Sequence, residues 1–296
     1  MKFVFFGTGE IAVGALDELE KASLLPSLII TAPDKPQGRK LVLTPPPAKV
    51  WALERGIEIL QPPEISPEFM FGLTKSKYKA AVYIVVDYGK FLPKTLLEIP
   101  EHGVINMHPS LLPRLRGPSP IRSAILNDEK NTGVSVMLVD TKMDHGPIIA
   151  QRAVSVPDWP PRGRELDALL AKEGGKLLAH IMPLWVRGEI EAHEQNHDVA
   201  TYSKLFKKED GLLDLKNGDP YQNLLKIRAL DGWPGTYAFF DPSTRSGQET
   251  RKRVRVKILD AHLENSPSTE LGVKKLVIDM VKPEGKKEMV FADFIA

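Results

Sequence analysis

Short apolar runs alternate with amphipathic stretches over the first half of the chain. Residues 2–6 (KFVFF) are apolar and rich in strand formers, and they stop at Gly7. Residues 11–21 follow with Ile11, Ala15, Leu16 and Leu19 at helical spacing. Residues 27–31 (SLIIT) form a second buried-strand pattern. Strand, helix and strand within about 30 residues make a βαβ unit, a parallel and right-handed arrangement. The pattern goes on with strands expected over 57–60, 80–86, 103–107, 133–138 and 148–153, and helices over 47–55, 93–97 and 120–126. This alternation predicts an α/β fold: a Rossmann-like, mostly parallel sheet with helices on both faces.

Residues 164–187 predict a long amphipathic helix, with Leu166, Leu169, Leu170, Leu177, Leu178 and Ile181 on one face. Residues 191–198 are polar and have the character of a linker. From Tyr202 the pattern changes. One helix over 221–229 precedes short strands over 235–240, 253–261 and 275–281, with turn signals at Asp241, Pro242 and Gly247. Regularly spaced short strands predict a small C-terminal β-barrel of the OB type. The expected organisation is a Rossmann-like domain over 1–188, a linker over 189–203 and the barrel over 204–296.

Composition narrows the function classes. Of 296 residues 42% are hydrophobic and 26% charged, enough to build a sizeable core. There is no cysteine, which excludes disulfides, thiolate metal sites and a cysteine nucleophile. The opening MKFVFFGTGE is too short for a secretory apolar region, and no run reaches the ~18 apolar residues of a membrane span. A cytoplasmic protein with no membrane partner is expected. The net charge of +2 says little alone, although the positive excess lies after Tyr202, as would suit contact with a polyanion.

Gly7, Thr8 and Gly9 follow the first strand, yet position 12 is Ala and no acid closes the second strand; Asp34 lies beyond it. The dinucleotide fingerprint is therefore incomplete, and a tight strand-to-helix turn explains these glycines equally well. Asn106 and His108 end an apolar strand, where open α/β sheets bind ligands. Two residues apart, they share a side of the strand, and an amide donor beside an imidazole can stabilise an oxyanion and move a proton. A structural histidine before a proline-rich turn is the alternative. Asp144 lies in the Gly/Pro-flanked loop Met143-Asp144-His145-Gly146-Pro147, where it either forms a turn or supports His108. His108, His145 and Asp144 match no standard metal-ligand spacing, so no metal is expected. Lys35, Arg39 and Lys40 lie in a Gly/Pro-broken loop suited to phosphate contact or to solvent exposure. Over 251–257 (RKRVRVK), Arg253, Arg255 and Lys257 share one strand face, either a solvated face or a track for a nucleic-acid backbone.

Several stretches in order carry a resemblance: 31–47 (TAPDKPQGRKLVLTPPP), 87–93 (DYGKFLP), 104–121 (VINMHPSLLPRLRGPSPI), 143–148 (MDHGPI), 200–214 (ATYSKLFKKEDGLLD) and 227–236 (IRALDGWPGT). Together they resemble the formyltransferase family, and within it the enzymes acting on transfer RNA. The resemblance implies that Asn106, His108 and Asp144 form a catalytic trio. It implies 10-formyltetrahydrofolate as donor, held by Ser110, Leu111, Leu112 and Pro113 and by Asp87, Tyr88, Gly89 and Leu92, with neither metal nor nucleotide cofactor. The implied acceptor is the amine of initiator methionyl-tRNA, met by Lys35, Arg39 and Lys40 in the loop and by Arg253, Arg255 and Lys257 in the tail. A monomer is expected. Leu115 and Leu215 stand where those enzymes commonly carry tryptophan. A nucleotide-linked amino sugar as acceptor, and a non-enzymatic RNA-binding module on the same fold, are the competing readings.

Overall fold

The computed structural model describes all residues except 39–40, 76–77, 241–252 and 266–273. Arg39 and Lys40, the expected turns at Asp241, Pro242 and Gly247, and Arg251 and Lys252 lie outside the described residues. The chain forms two compact units. The first comprises Met1–Pro120, Asn131–Ser155 and Asp167–Ser203; the second comprises Ile121–Lys130, Val156–Leu166 and Lys204–Ala296.

A seven-stranded sheet organises the first unit, built from β1 (Phe3–Gly7), β2 (Leu28–Ile30), β5 (Ile59–Leu60), β6 (Val82–Val86), β7 (Val104–His108), β8 (Thr132–Leu138) and β9 (Ile148–Val154), in the order β5-β2-β1-β6-β7-β8-β9. The pairs from β5 to β7 are parallel, and β7–β8 and β8–β9 are antiparallel. Every residue of β1 and β2 is buried. This is why their sequences are continuous apolar runs rather than alternating ones: both faces are covered. On one face Val4, Phe6, Ile30 and Tyr83 pack with Leu73 of α3 (Pro67–Leu73) and Leu96 of α4 (Lys94–Leu97). On the other face lie α1 (Glu10–Lys21) and α6 (Gly163–Val186). There a side chain at Gly174 would collide with Met107 of β7, and one at Gly14 with Ala171, so small residues let these elements approach closely.

Several elements were not expected from the periodicity. Residues 31–47 contain a β-hairpin, β3 (Lys35–Gln37) with β4 (Val42–Thr44), ahead of α2 (Pro47–Glu54). The base of this hairpin is fixed by Asp34, whose carboxylate accepts from Lys49 Nζ at 2.8 Å and Gln61 Nε2 at 2.8 Å. Helix α3 starts where Ser66 accepts a hydrogen bond from the Phe69 amide and Pro67 opens the first turn. The chain ends in α8 (Phe291–Ile295). Residues 189–203, expected as a linker, are instead stitched to the first unit. His193 exchanges backbone hydrogen bonds with Ile148, and Arg116 pairs with the 201–203 strand-like segment.

In the second unit β10 (Thr236–Phe240), β11 (Val254–Asn265), β12 (Lys274–Pro283) and β13 (Met289–Val290) form an antiparallel meander. It encloses Leu213, Val256, Ile258 and Val281 with Ile227 of α7 (Pro220–Ala229), and Leu215 packs against that core. Two acids tie the separate segments of this unit together. Asp128 accepts from Trp159 Nε1 at 2.6 Å and Tyr221 Oη at 2.8 Å, and Asp260 pairs with Arg162 and Arg228. Among the described residues no helix is long and apolar enough to cross a membrane.

Candidate active site

The strand order reverses direction between β1 and β6, and the carboxyl ends of β1, β6 and β7 meet there; such switch points are where open α/β sheets hold ligands. The end of β7 presents Asn106 and His108 on one side, as alternation requires. Asn106 is half-buried, and its carboxamide makes no hydrogen bond among the described residues. His108 is buried, and its Nε2 lies 2.9 Å from the Leu115 carbonyl. A carbonyl only accepts, so Nε2 carries the hydrogen and Nδ1 is the nitrogen left for chemistry. That Nδ1 faces Asp144 Oδ1 at 3.7 Å, close enough for a charge to be felt but too long for a hydrogen bond. The other oxygen, Oδ2, accepts from the Gly117 amide at 2.6 Å. Asn106, His108 and Asp144 thus converge, although Asp144 is 36 positions from His108 in the sequence.

The turn after β7 is built from below by residues that carry no sequence signal of their own. Ser135 on β8, opposite His108 in the register, accepts from the Leu112 amide at 3.0 Å and donates to the Ser110 carbonyl at 2.6 Å. Gln151 on β9 donates to the Leu112 carbonyl and to Ser135, each at 2.8 Å. The Ser110 hydroxyl itself is spent on the Arg114 carbonyl at 2.7 Å. Ser110 and Leu112 are buried, so Leu111 and Pro113 are the members of that turn left partly open.

The segment after β6 divides in the same way. Tyr88 and Leu92 are core residues; Tyr88 sits edge-on to Phe6 at 5.4 Å, and burial pushes its hydroxyl up to about 12. Their packing holds the segment in place. Asp87 and Gly89 are exposed, as is Phe91. The Asp87 carboxyl is nonetheless crowded against the β1–α1 turn, where a side chain at Gly9 would strike its Oδ2, and it accepts a hydrogen bond from the Gly9 amide. Burial, with the nearby charge of Asp167, pushes it up to about 6, the hydrogen bond from Gly9 pulling the other way. Gly7 and Gly9 therefore serve close packing around this crevice.

The other described residues expected to meet the acceptor lie on the hairpin and in the second unit. Lys35 is exposed on the hairpin, and its charge, after burial, helps to hold the Lys90 ammonium below its ordinary value. Leu41, Val42 and Leu43 of the hairpin are all exposed, Leu41 to 71%. In the second unit Lys257 is exposed opposite Tyr237, Arg253 is exposed, and the Arg255 guanidinium lies 3.7 Å over the Tyr237 ring.

The family described as formyl transferase matches residues 1–179. A methionyl-tRNA formyltransferase from Chloroflexus aurantiacus is 39% identical over 273 residues, covering 92% of this chain and 85% of its own. One from Geotalea daltonii is 33% identical over 308 residues, covering 100% of this chain and 95% of its own. Among solved structures, an N-formyltransferase from Helicobacter canadensis in complex with folinic acid and dTDP-3-aminofucose superposes with a TM-score of 0.66 at 17% identity, covering 94% of this chain and 98% of its own. At that identity it speaks for the fold alone. The sheet, the site at the end of β7 and the extent of these matches lead to one assignment: the chain belongs to the formyl transferase family.

Proposed function

We propose that the chain transfers a formyl group from 10-formyltetrahydrofolate to the α-amine of initiator methionyl-tRNA. The observation that carries the chemistry is the convergence of Asn106, His108 and Asp144 at the end of β7. The neutral amine attacks the formyl carbon, negative charge grows on the formyl oxygen, and the bond from that carbon to the carrier nitrogen breaks. Asn106, with its amide uncommitted, donates to the oxygen; one such donor is typically worth ~10²–10³ in rate. His108 keeps its Nε2 hydrogen on Leu115, so proton traffic runs through Nδ1. It takes the proton of the attacking amine there and passes it to the departing nitrogen. Asp144 stabilises the imidazolium in between and owes its orientation to Gly117.

The donor's pterin suits the crevice between β1 and β6. The Asp87 carboxyl can accept from ring N–H groups, and a side chain at neighbouring Gly89 would meet nothing, so the segment is open there. Three things support the transfer-RNA acceptor: the names of the relatives, the hairpin with its exposed Lys35 and three exposed apolar side chains, and the cationic and aromatic strand face of Arg253, Arg255, Lys257 and Tyr237. The reaction belongs in the cytoplasm, where charged transfer RNA is available. Offering the protein 10-formyltetrahydrofolate with charged initiator tRNA or with a dTDP-linked amino sugar tests the acceptor. Formyl-methionine on tRNA is expected; formylated sugar with untouched tRNA would overturn this reading.

A further inference from the structure

Arg116 heads the largest fully buried side chains of the described residues, at 1% exposed, and the proposed chemistry makes no use of it. A guanidinium out of water must be surrounded by acceptors. Here Gln195 Oε1 takes both Nε at 3.1 Å and Nη2 at 2.6 Å; His197 Nδ1 is 2.8 Å from Nη2, and the Tyr202 hydroxyl is 3.4 Å from Nη1. Because a guanidinium only donates, it fixes which end of the Gln195 amide faces it. The NH2 end then points the other way, donating to the carbonyls of Asp144 at 3.0 Å and Gly146 at 2.8 Å. Asp144 has φ +48, a left-handed conformation that a non-glycine residue keeps only when its surroundings hold it. Its carbonyl is gripped by Gln195, and its carboxylate by the amide of Gly117, the residue after Arg116.

We propose that Arg116 and Gln195 are positioning residues: together they lock the 144–146 backbone so that the Asp144 carboxylate faces His108 Nδ1. This rests on the proposed role of Asp144. It also makes the 189–203 segment, which supplies Gln195, part of the site rather than a connector.

Gln195→Glu in the full chain separates positioning from simple packing. A carboxylate still satisfies Arg116, but it sets an acceptor against two carbonyls. Expected are cooperative melting within a few degrees of the parent and a donor KM within about threefold. The kcat should be ~10–100-fold lower, the scale of a slightly misplaced catalytic group, with amide exchange at Gly117 about tenfold faster. Should Gln195→Glu fail to fold, Gln195→Met takes its place with the same readouts. A kcat within twofold of the parent together with unchanged Gly117 exchange overturns the inference. A parent without formyl transfer refutes the proposed function instead, and Gly117 exchange alone then decides the clamp.

Discussion

Asp144 occupies a backbone conformation that costs on the order of 1–3 kcal/mol for a non-glycine residue, and Leu115, whose carbonyl holds His108, sits at φ +55. Strain gathered around one imidazole belongs to a site whose geometry is imposed by its surroundings. Asn106 and His108 were legible in the sequence, because alternation along a strand assigns them one side and parallel sheets bind ligands at strand ends. Asp144 was legible only as a candidate, since no local rule connects it to His108. Ser135, Gln151, Arg116 and Gln195 were not legible at all; each is significant through a hydrogen bond to a distant backbone group, which no spacing encodes.

Asp87 gives the residue scale a pH test. Its folded carboxyl is pushed up to about 6 from an ordinary 3.8. The native state therefore binds this proton more tightly than the unfolded chain does. The corresponding stability is present below about pH 4 and is lost as the pH rises through about 6. Asp87→Asn keeps an acceptor for the Gly9 amide and removes the titration. The variant should melt above the parent at pH 7, with the gap closing toward pH 4. A gap independent of pH would count against the crowding described at the β1–α1 turn.

At the scale of elements, long apolar runs and strong helical spacing translated directly into β1, β2, β6, β7, α1 and α6. The hairpin β3–β4 escaped because its side chains are exposed, so no core-facing period marks it; residues 189–203 escaped because their polarity serves buried hydrogen bonds. An apolar tip left in solvent has no folding role to lose. Replacing Leu41 and Leu43 together by serine should therefore leave melting and donor KM unchanged. The KM for methionyl-tRNA should rise about tenfold, equivalent to ~1.4 kcal/mol of lost contact. Steady-state kinetics with tRNA varied decides it, and an unchanged tRNA KM would remove the hairpin from acceptor recognition.

On the scale of the molecule, the two units carry different surfaces, one with the proposed trio of Asn106, His108 and Asp144 and one with an antiparallel sheet carrying exposed cations beside aromatic rings. If Arg253 and Lys257 meet phosphates, each releases counterions on binding. The double alanine variant should then lower the slope of log K for tRNA against log salt by about two, nearly one unit per contact. An unchanged slope would make that face merely solvated. The central claim, formyl transfer to methionyl-tRNA by the trio, is tested most directly by a single-turnover comparison. The parent and Asp144→Asn are each mixed with 10-formyltetrahydrofolate and charged initiator tRNA, and N-formylmethionyl-tRNA is followed in time. Product is expected from the parent and a rate at least ~10²-fold lower from the variant; no product from the parent, or equal rates from both, would refute catalysis by the trio.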